Sequence, residues 1–481
     1  MPAEVALARV ISSLDVVAIH GEPEVVVTGI AYDSRHVRVG DLFCCAPGAT
    51  ADGHDFAEVA VEAGAVALLV ERVLPVAVPQ IQVADVRCAM AVAAAVVFDH
   101  PSEDLTVIGV TGTNGKTTVT YLLEAILRED GRATAVLGTL SGPRTTPEAP
   151  DLQRWLAARR DEGVEMVAME VSSHALELHR VDGTRFAVAA FTNLSRDHLD
   201  FHGTMEAYFE AKARLFTPAF AARAVVNLDD PSGRLLRDAA TIPTTGYSID
   251  DVSELEVGRA GSTFVWRGQS VQLPLGGRFN VANALAAAET AVALGVDAAV
   301  AARGLGRAVV IPGRFELVDE GQSFTVIVDY AHTPDGLARV LEAAGELAGA
   351  GRVHVVFGCG GDRDATKRPA MGAAAAAGAD RIVLTADNSR SEDTAAIIEA
   401  VQEGIRQVSD PRASEVRVEP DRRAAIALGL GAAAATDVVV LAGKGHETTQ
   451  TIGDRVLAFD DRDVAREALR LRRATDGGDA R

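Results

Sequence analysis

Between Gly109 and Thr118 the chain reads GVTGTNGKTT. An apolar run, a tight turn with Gly112 and Gly115, then Lys116 and two threonines opening a helix can cradle a nucleotide triphosphate. Backbone N–H groups and the helix N-terminus face the phosphates, Lys116 adds a point charge, and Thr117 can reach a magnesium ion. The spacing departs from G-x-x-x-x-G-K-[ST], because Val110 stands where the first glycine belongs. Other candidates are weaker taken singly. Glu170 ends the apolar run MVAME, and alone reads as a loop acid. His198 and His202 make an i, i+4 pair that imitates a zinc site, but Leu199 replaces the glutamate of H-E-x-x-H. Lys212, in YFEAKARLF, reads by itself as a surface lysine on a helix.

Elements able to position such loops are plentiful. The 481 residues predict about three domains. With 48% hydrophobic residues, sizeable cores are available. The net charge of −21 argues against a basic nucleic-acid footprint, so any anion must meet locally focused positive charge. The first fifteen residues lack a cationic region followed by an apolar run, so no signal peptide is expected. No uncharged apolar run approaches the ~18 residues that suggest a membrane span. The four cysteines fit neither a disulfide framework nor a zinc pattern, and a soluble, reduced, cytoplasmic protein is expected. Apolar runs such as TVIGV, EMVAME, FAVAAFTNL and RAVVNL alternate with helical stretches. The same alternation returns in FTVIVDY, RVHVVFG, RIVLTAD and DVVVLAG. It predicts an α/β fold with mainly parallel sheets. Segments 1–101, 102–312 and 313–481 are the expected units, with HPSEDL as a polar connector between the first two. Ligands in such sheets sit beyond the carboxyl ends of the strands. The informative loops are therefore GTNGKTT, EVSSH, NLSRDH, YAHTPD, GCGGDRD, DNSR and GKGHE.

Taken in order, YDSRHVRVGDLF, GVTGTNGKTT, AMEVSSHALELHRV, FTNLSRDHLDFHGTMEAYFEAKARLF, GRFNVANALAA, PGRFE, VDYAHTPD, FGCGGDRDATKRPAMG and LAGKGHE resemble the Mur ligases. Within them they resemble the type that adds the third amino acid to a UDP-N-acetylmuramoyl peptide. The likeness runs from Tyr32 to Glu447. It implies a small N-terminal α/β domain for the uridine nucleotide, a central P-loop ATPase domain and a Rossmann-like C-terminal domain for the amino acid. It also implies the reaction. A D-glutamate side-chain carboxylate takes the γ-phosphate of ATP, and an amine displaces phosphate from the acyl phosphate. The partners implied are ATP, magnesium, the UDP-N-acetylmuramoyl dipeptide and meso-diaminopimelate, and a monomer is expected.

The resemblance assigns roles residue by residue. Gly112, Thr113, Asn114, Gly115, Lys116, Thr117 and Thr118 would hold the triphosphate, with Asn283 on the adenine side and Arg314 and Asp329 near the hinge. Lys116, Glu170, His198 and Lys212 would be catalytic. Magnesium would be held by Thr117, Glu170, His198 and a carbamylated Lys212 (N6-carboxylysine). That modification needs a neutral amine, hence a lowered lysine pKa. Ser34 and the loop Ala49, Thr50, Ala51 would meet the nucleotide end of the UDP-substrate, and Thr145, Thr146, Ser172 and Arg180 its peptide end. Leu178 departs from the glutamine common in the family. A folylpolyglutamate synthetase is disfavoured by the hundred or so residues before the phosphate loop. A non-catalytic ATP-binding homologue is disfavoured by the presence of all four catalytic residues.

Thr385–Asp393 reads TADNSRSED, one arginine among three acids. With Arg363, Gly443 and Glu447, the residues Asp387, Asn388, Ser389 and Arg390 offer both signs of charge, as a zwitterionic amino acid requires. In the family, DNPR accompanies meso-diaminopimelate, and a motif without that arginine accompanies L-lysine. The far carboxylate of diaminopimelate suits an arginine, whereas the far ammonium of lysine is repelled by one. Here Ser389 replaces the proline. Its absence is expected to loosen the loop by about 0.4–1 kcal/mol of preorganisation.

Overall fold

The computed structural model describes residues 4–48, 51–259 and 261–478. Three α/β sheets follow one another along the chain. The middle one is all parallel. Its spatial order is Thr244–Tyr247, Ala224–Asn227, Val188–Phe191, Thr106–Thr111, Met166–Glu170 and Thr134–Leu137. The central strands are continuous apolar runs because helices cover both faces. On one face Val119, Leu122 and Ile126 of Lys116–Glu129 meet Val281 and Leu285 of Arg278–Ala293. On the other, Leu152 and Leu156 pack near Phe216 and Phe191.

The last sheet has the order Glu316–Leu317, Thr325–Asp329, Val438–Ala442, Val353–Phe357, Arg381–Leu384 and Glu415–Val418. Only Glu316–Leu317 runs antiparallel to its neighbour. YAHTPD, GCGGDRD, DNSR and GKGHE therefore emerge from one end of the sheet. The first sheet comprises Val16–His20, Gln80–Val83, Ala67–Val70, Asp41–Cys44 and Gly29–Ala31, with Val16–His20 alone antiparallel. Among the described residues no helix is long and apolar enough to cross a membrane.

Three features depart from the alternation read in the sequence. A three-stranded antiparallel sheet, Val252–Val257, Ser262–Trp266 and Gln269–Leu273, leans Phe264, Trp266, Val271 and Leu273 on the middle core. A hairpin, Thr449–Ile452 with Arg455–Ala458, follows GKGHE. HPSEDL is not a plain connector. Pro101–Asp104 forms one helical turn, with proline at its start and Glu103 and Asp104 in its first turn.

A fully buried ion pair braces the last sheet behind its loops. Arg422 and Asp461 are both 0% exposed and lie 2.6 Å apart. Arg422 also donates to the carbonyls of Ala386 (3.3 Å) and Ala442 (3.0 Å), the residues just before Asp387 and Gly443. Removing Asp461 strands a buried guanidinium. Asp461→Ala is expected to lower stability by about 3–5 kcal/mol, read by urea unfolding. A change below about 1 kcal/mol, the scale of an exposed pair, would contradict this account.

Candidate functional site

The phosphate loop is shaped by two glycines that cannot be replaced without strain. Gly112 has φ +146°, and a Cβ there would lie 1.9 Å from Thr192 Oγ1. Gly115 has φ +90°, and a Cβ there would lie 2.4 Å from Asn283 Oδ1. The loop is cradled by the segment after Val188–Phe191. Thr192 Oγ1 donates to the Asn114 carbonyl (2.6 Å), Asn193 Oδ1 accepts from the Asn114 N–H (3.0 Å), and the Thr113 N–H donates to the Asn193 carbonyl (2.8 Å). Thr113 Oγ1 reaches Tyr208 and the Ser195 carbonyl. Lys116 folds onto its own loop, donating to the Gly112 and Thr113 carbonyls at 2.9 Å. Burial lowers its pKa. Thr118 is buried in the first turn of the helix that Lys116 opens.

Thr117 Oγ1 donates to Glu170 Oε1 at 3.0 Å, and Glu170 also accepts from the Thr139 N–H (2.8 Å) and hydroxyl (3.2 Å). Arg314 donates to Thr117 Oγ1 (3.2 Å) and lies over the Tyr330 ring. Asp329 ends its strand buried and accepts from the Phe315 N–H at 2.7 Å; burial pushes its carboxyl up to about 6. Asn283 donates to Asn280 at 3.2 Å. Lys116, Thr117, Glu170, Asn283, Arg314 and Asp329 line one open cavity.

Lys212 is 1% exposed. Its Nζ donates to the Gly112 carbonyl (3.0 Å) and lies 4.6 Å from the centre of the Tyr208 ring. Burial, with repulsion from Lys116, pushes its pKa well below the lysine range. His198 adopts φ +55° and stacks edge-on to His174, 4.7 Å between ring centres. Loss of solvent, with His174, Lys116 and Lys212 nearby, holds it down to about 3 against the pull of Asp197, so the ring is neutral near pH 7. His202 bonds Ser173 at 2.9 Å.

A second, open cavity is also lined by His198. Thr145, Thr146, Ser172 and Arg180 form one wall. Thr146 Oγ1 donates to the Glu170 carbonyl at 2.9 Å, Ser172 caps a short helix, and Arg180 pairs with the buried Glu148 at 2.8 Å. Arg363, Asp387, Asn388, Arg390, Gly443 and Glu447 form the opposite wall. The two cavities share Thr139, Thr145, Asp197, His198, Tyr330 and His332. Ser34, half-buried in a 3-10 turn, and the exposed Ala51 belong to neither lining, and Ala49 and Thr50 lie outside the described residues.

The loop carrying Ser389 is firmly tied, contrary to the looseness expected from the missing proline. Ser389 is 1% exposed and its hydroxyl bonds that of Thr394 at 2.7 Å. One such bond contributes about 1 kcal/mol, the size of the proline effect it replaces. Arg390 is held at φ +50° by the hairpin. Its N–H donates to the Thr451 carbonyl (3.1 Å), and its carbonyl accepts from Gly453 (2.7 Å). Its guanidinium rests on the Gly361 carbonyl at 2.6 Å.

Sequence reading gave no role to Asp197, Lys367 or His332. Asp197 lies 3.3 Å from His198 and 3.8 Å from both His332 and Lys367. Burial opposes its charge, but those three neighbours hold its carboxyl below the usual range. Lys367 stands four residues after Arg363 in a quoted motif, so its position was visible and its partner was not. Among the described residues, Cys88, His179 and Asp182 are close enough to share a cation, but Arg214 already donates to Asp182 at 3.3 Å.

A glycine-rich loop opening a helix at the end of one parallel sheet shares a cavity wall with loops of a second sheet that carry both signs of charge, an arrangement that suits joining a carboxylate to an amine. The chain belongs to the Mur ligase family: its family models match as the catalytic domain over residues 26–105, the middle domain over 110–291 and the glutamate ligase domain over 313–445. It is 46% identical to the UDP-N-acetylmuramoyl-L-alanyl-D-glutamate--2,6-diaminopimelate ligase of Streptomyces coelicolor, covering 96% of each chain. It is also 46% identical to the enzyme of the same name from Geobacillus thermodenitrificans, covering 94% of this chain and 96% of that one. A solved ligase of that name is 35% identical, with a TM-score of 0.68 over 98% of this chain and 100% of that one. The MurF ligase of Thermotoga maritima, solved with ADP, shares the fold at 20% identity and a TM-score of 0.62, over 92% of this chain and 96% of that one.

Proposed function

We propose that the chain is an ATP-dependent ligase joining meso-diaminopimelate to the D-glutamate of UDP-N-acetylmuramoyl-L-alanyl-D-glutamate, in the cytoplasmic stage of peptidoglycan synthesis. One observation carries the reading: a phosphate-loop cavity and a cavity of mixed charge share the wall made by Asp197, His198, Tyr330 and His332. A phosphoryl donor on one side and an amine on the other can then meet at one carboxylate. In this reading residues 1–101 carry the uridine end, 102–312 the ATP site and 313–481 the amino acid.

The loop from Gly112 to Thr118 binds the triphosphate. Asn193 holds the N–H groups of Thr113 and Asn114, so those from Gly115 to Thr118, at the start of the helix, face the phosphates, and Lys116 turns from its own carbonyls to them. Asn283, Arg314 and Asp329 border the rest of the nucleotide. Thr145, Thr146, Ser172 and Arg180 orient the dipeptide so that its side-chain carboxylate reaches the γ-phosphorus. The attacking oxygen forms the P–O bond as the bond to ADP breaks, giving an acyl phosphate. The amine of diaminopimelate attacks that carbonyl, phosphate leaves with the C–O electrons, and the amine proton passes to solvent or phosphate. Arg363 and Arg390 hold carboxylates, and Glu447 and Asp387 face ammonium groups.

The donor set suits magnesium. Thr117, Glu170, a neutral His198 and a carbamate on Lys212, mostly hard oxygen donors, would hold it. The buried, readily neutralised Lys212 amine favours the carbamate. Bound there, magnesium neutralises charge as two anions approach.

Phosphate release measured with single omissions tests the reading. It should require ATP, the UDP-muramoyl dipeptide and meso-diaminopimelate together, and the product should gain the mass of one diaminopimelate residue. Release that ignores the dipeptide would contradict it.

A further inference from the structure

Glu447 is one of the acids that line the amino-acid cavity, and a buried lysine stands directly behind it. Lys444 is 0% exposed and does not line the cavity. Its Nζ donates to Glu447 Oε2 (2.9 Å), to the Thr449 carbonyl (2.6 Å) and to Asn388 Oδ1 (3.5 Å), and lies 4.0 Å from Asp387 Oδ1. Asn388 Nδ2 donates to the same Glu447 Oε2 at 2.8 Å, and Asn388 Oδ1 accepts from the Thr451 N–H at 2.9 Å. Both polar ends of Asn388 are thus spent inside the protein. One carboxylate oxygen of Glu447 is anchored twice. Among the described residues no hydrogen bond reaches Oε1, and the side chain is 30% exposed.

We infer that Lys444 is a positioning residue for amino-acid selection: it locks Glu447 Oε2 and the Asn388 amide from behind, so that Glu447 presents Oε1 to the ligand's ammonium in a fixed direction. The inference rests on the reading of this cavity as the amino-acid site. Its physical basis is the cost of burial. A cation with no exposed surface persists where anions compensate it, and here Glu447 and Asp387 do so. Lys444 in turn keeps Glu447 ionised. Burial would raise the Glu447 carboxyl, but Lys444, Asn388 and His446 hold it below its usual range. Arg422, Asp387 and Tyr330 are the other charged or titratable groups facing this cluster. Without Lys444 the carboxylate would rotate, and would take up a proton at higher pH.

The test is steady-state kinetics of the full chain with ATP, dipeptide and meso-diaminopimelate, for Lys444→Met and Lys444→Arg. Lys444→Met should raise KM for meso-diaminopimelate at least tenfold, leave KM for ATP within twofold, and move the Glu447 ionisation in the pH profile of that KM to higher pH than in the wild type. Lys444→Arg should recover part of the loss. A merely structural lysine would lower the active fraction, so kcat would fall with KM and the pH profile unchanged; that result would overturn the inference. If Lys444→Met does not fold, Lys444→Gln with Glu447→Gln removes both charges together. That pair should match Glu447→Gln alone, whereas additive losses would overturn the inference. A wild-type chain that does not use meso-diaminopimelate overturns both the site reading and this inference. Normal wild-type use with an unaffected Lys444→Met overturns the inference alone.

Discussion

Replacing Lys212 with alanine is expected to lower turnover by about 10²–10³-fold, the range for loss of one preorganised charge-stabilising group. The side chain is 1% exposed and donates to the Gly112 carbonyl, its one hydrogen bond among the described residues. A lysine kept only for structure would be a poor choice there, because burial and Lys116 both disfavour its charge. A neutral amine is a nucleophile toward carbon dioxide: the N–C bond forms, one N–H proton leaves, and a carbamate anion remains. The change would replace a disfavoured cation by an anion beside Lys116 and the Gly112 carbonyl, where in the proposed reaction it would help to hold the metal. Acetate or formate should restore part of the activity of Lys212→Ala, since either can occupy the vacated carboxylate position. Lys212→Arg should be as inactive as the alanine variant, because a guanidinium stays charged and cannot be carbamylated. The check is phosphate release at saturating substrates, with and without added carboxylate. A fully active alanine variant would remove the carbamate from the mechanism.

Arg390→Ala should raise KM for meso-diaminopimelate by roughly tenfold to 150-fold, with little change in KM for ATP or dipeptide. The range corresponds to about 1.5–3 kcal/mol for a hydrogen bond to a charged group. The guanidinium now rests on the Gly361 carbonyl, a neutral acceptor that a carboxylate would outcompete. Its backbone is held in the left-handed region by the hairpin, so its direction is set before any ligand arrives. Stability should change little, because the side chain is only half-buried and the backbone bonds survive truncation. Equal losses for ATP and diaminopimelate in substrate titrations would contradict the assigned role.

Much of this was legible in the sequence, for definite reasons. Buried parallel strands are written as continuous apolar runs, and TVIGV, MVAME and DVVVLAG fold as such. The loops that follow them line the two cavities, as expected where ligands collect at strand ends. What escaped depended on contacts across long separations. Asp197 and Lys367 are 170 residues apart and meet only in the folded chain. Lys444 lies inside a motif already singled out, yet its burial could not be read from its neighbours. The hairpin Thr449–Ala458 is short, exposed on its second strand and rich in polar residues, so its strand signal is weak. Ser389 misled in the opposite sense. The missing proline was visible, and the Thr394 hydroxyl that compensates for it was five residues further on. Of the antiparallel sheet between Val252 and Leu273, the first strand alternates imperfectly, with a register shift between Ser253 and Glu256, and all three strands are short.

The central claim is that the charges of the third sheet choose the amino acid. Its most direct test is kcat/KM for meso-diaminopimelate against L-lysine on the same preparation, with ATP and UDP-muramoyl dipeptide saturating. The account predicts a preference of about 10²-fold or more for meso-diaminopimelate, since one far carboxylate is gained and one repelled ammonium avoided. Equal use of the two, or preference for L-lysine, would contradict it.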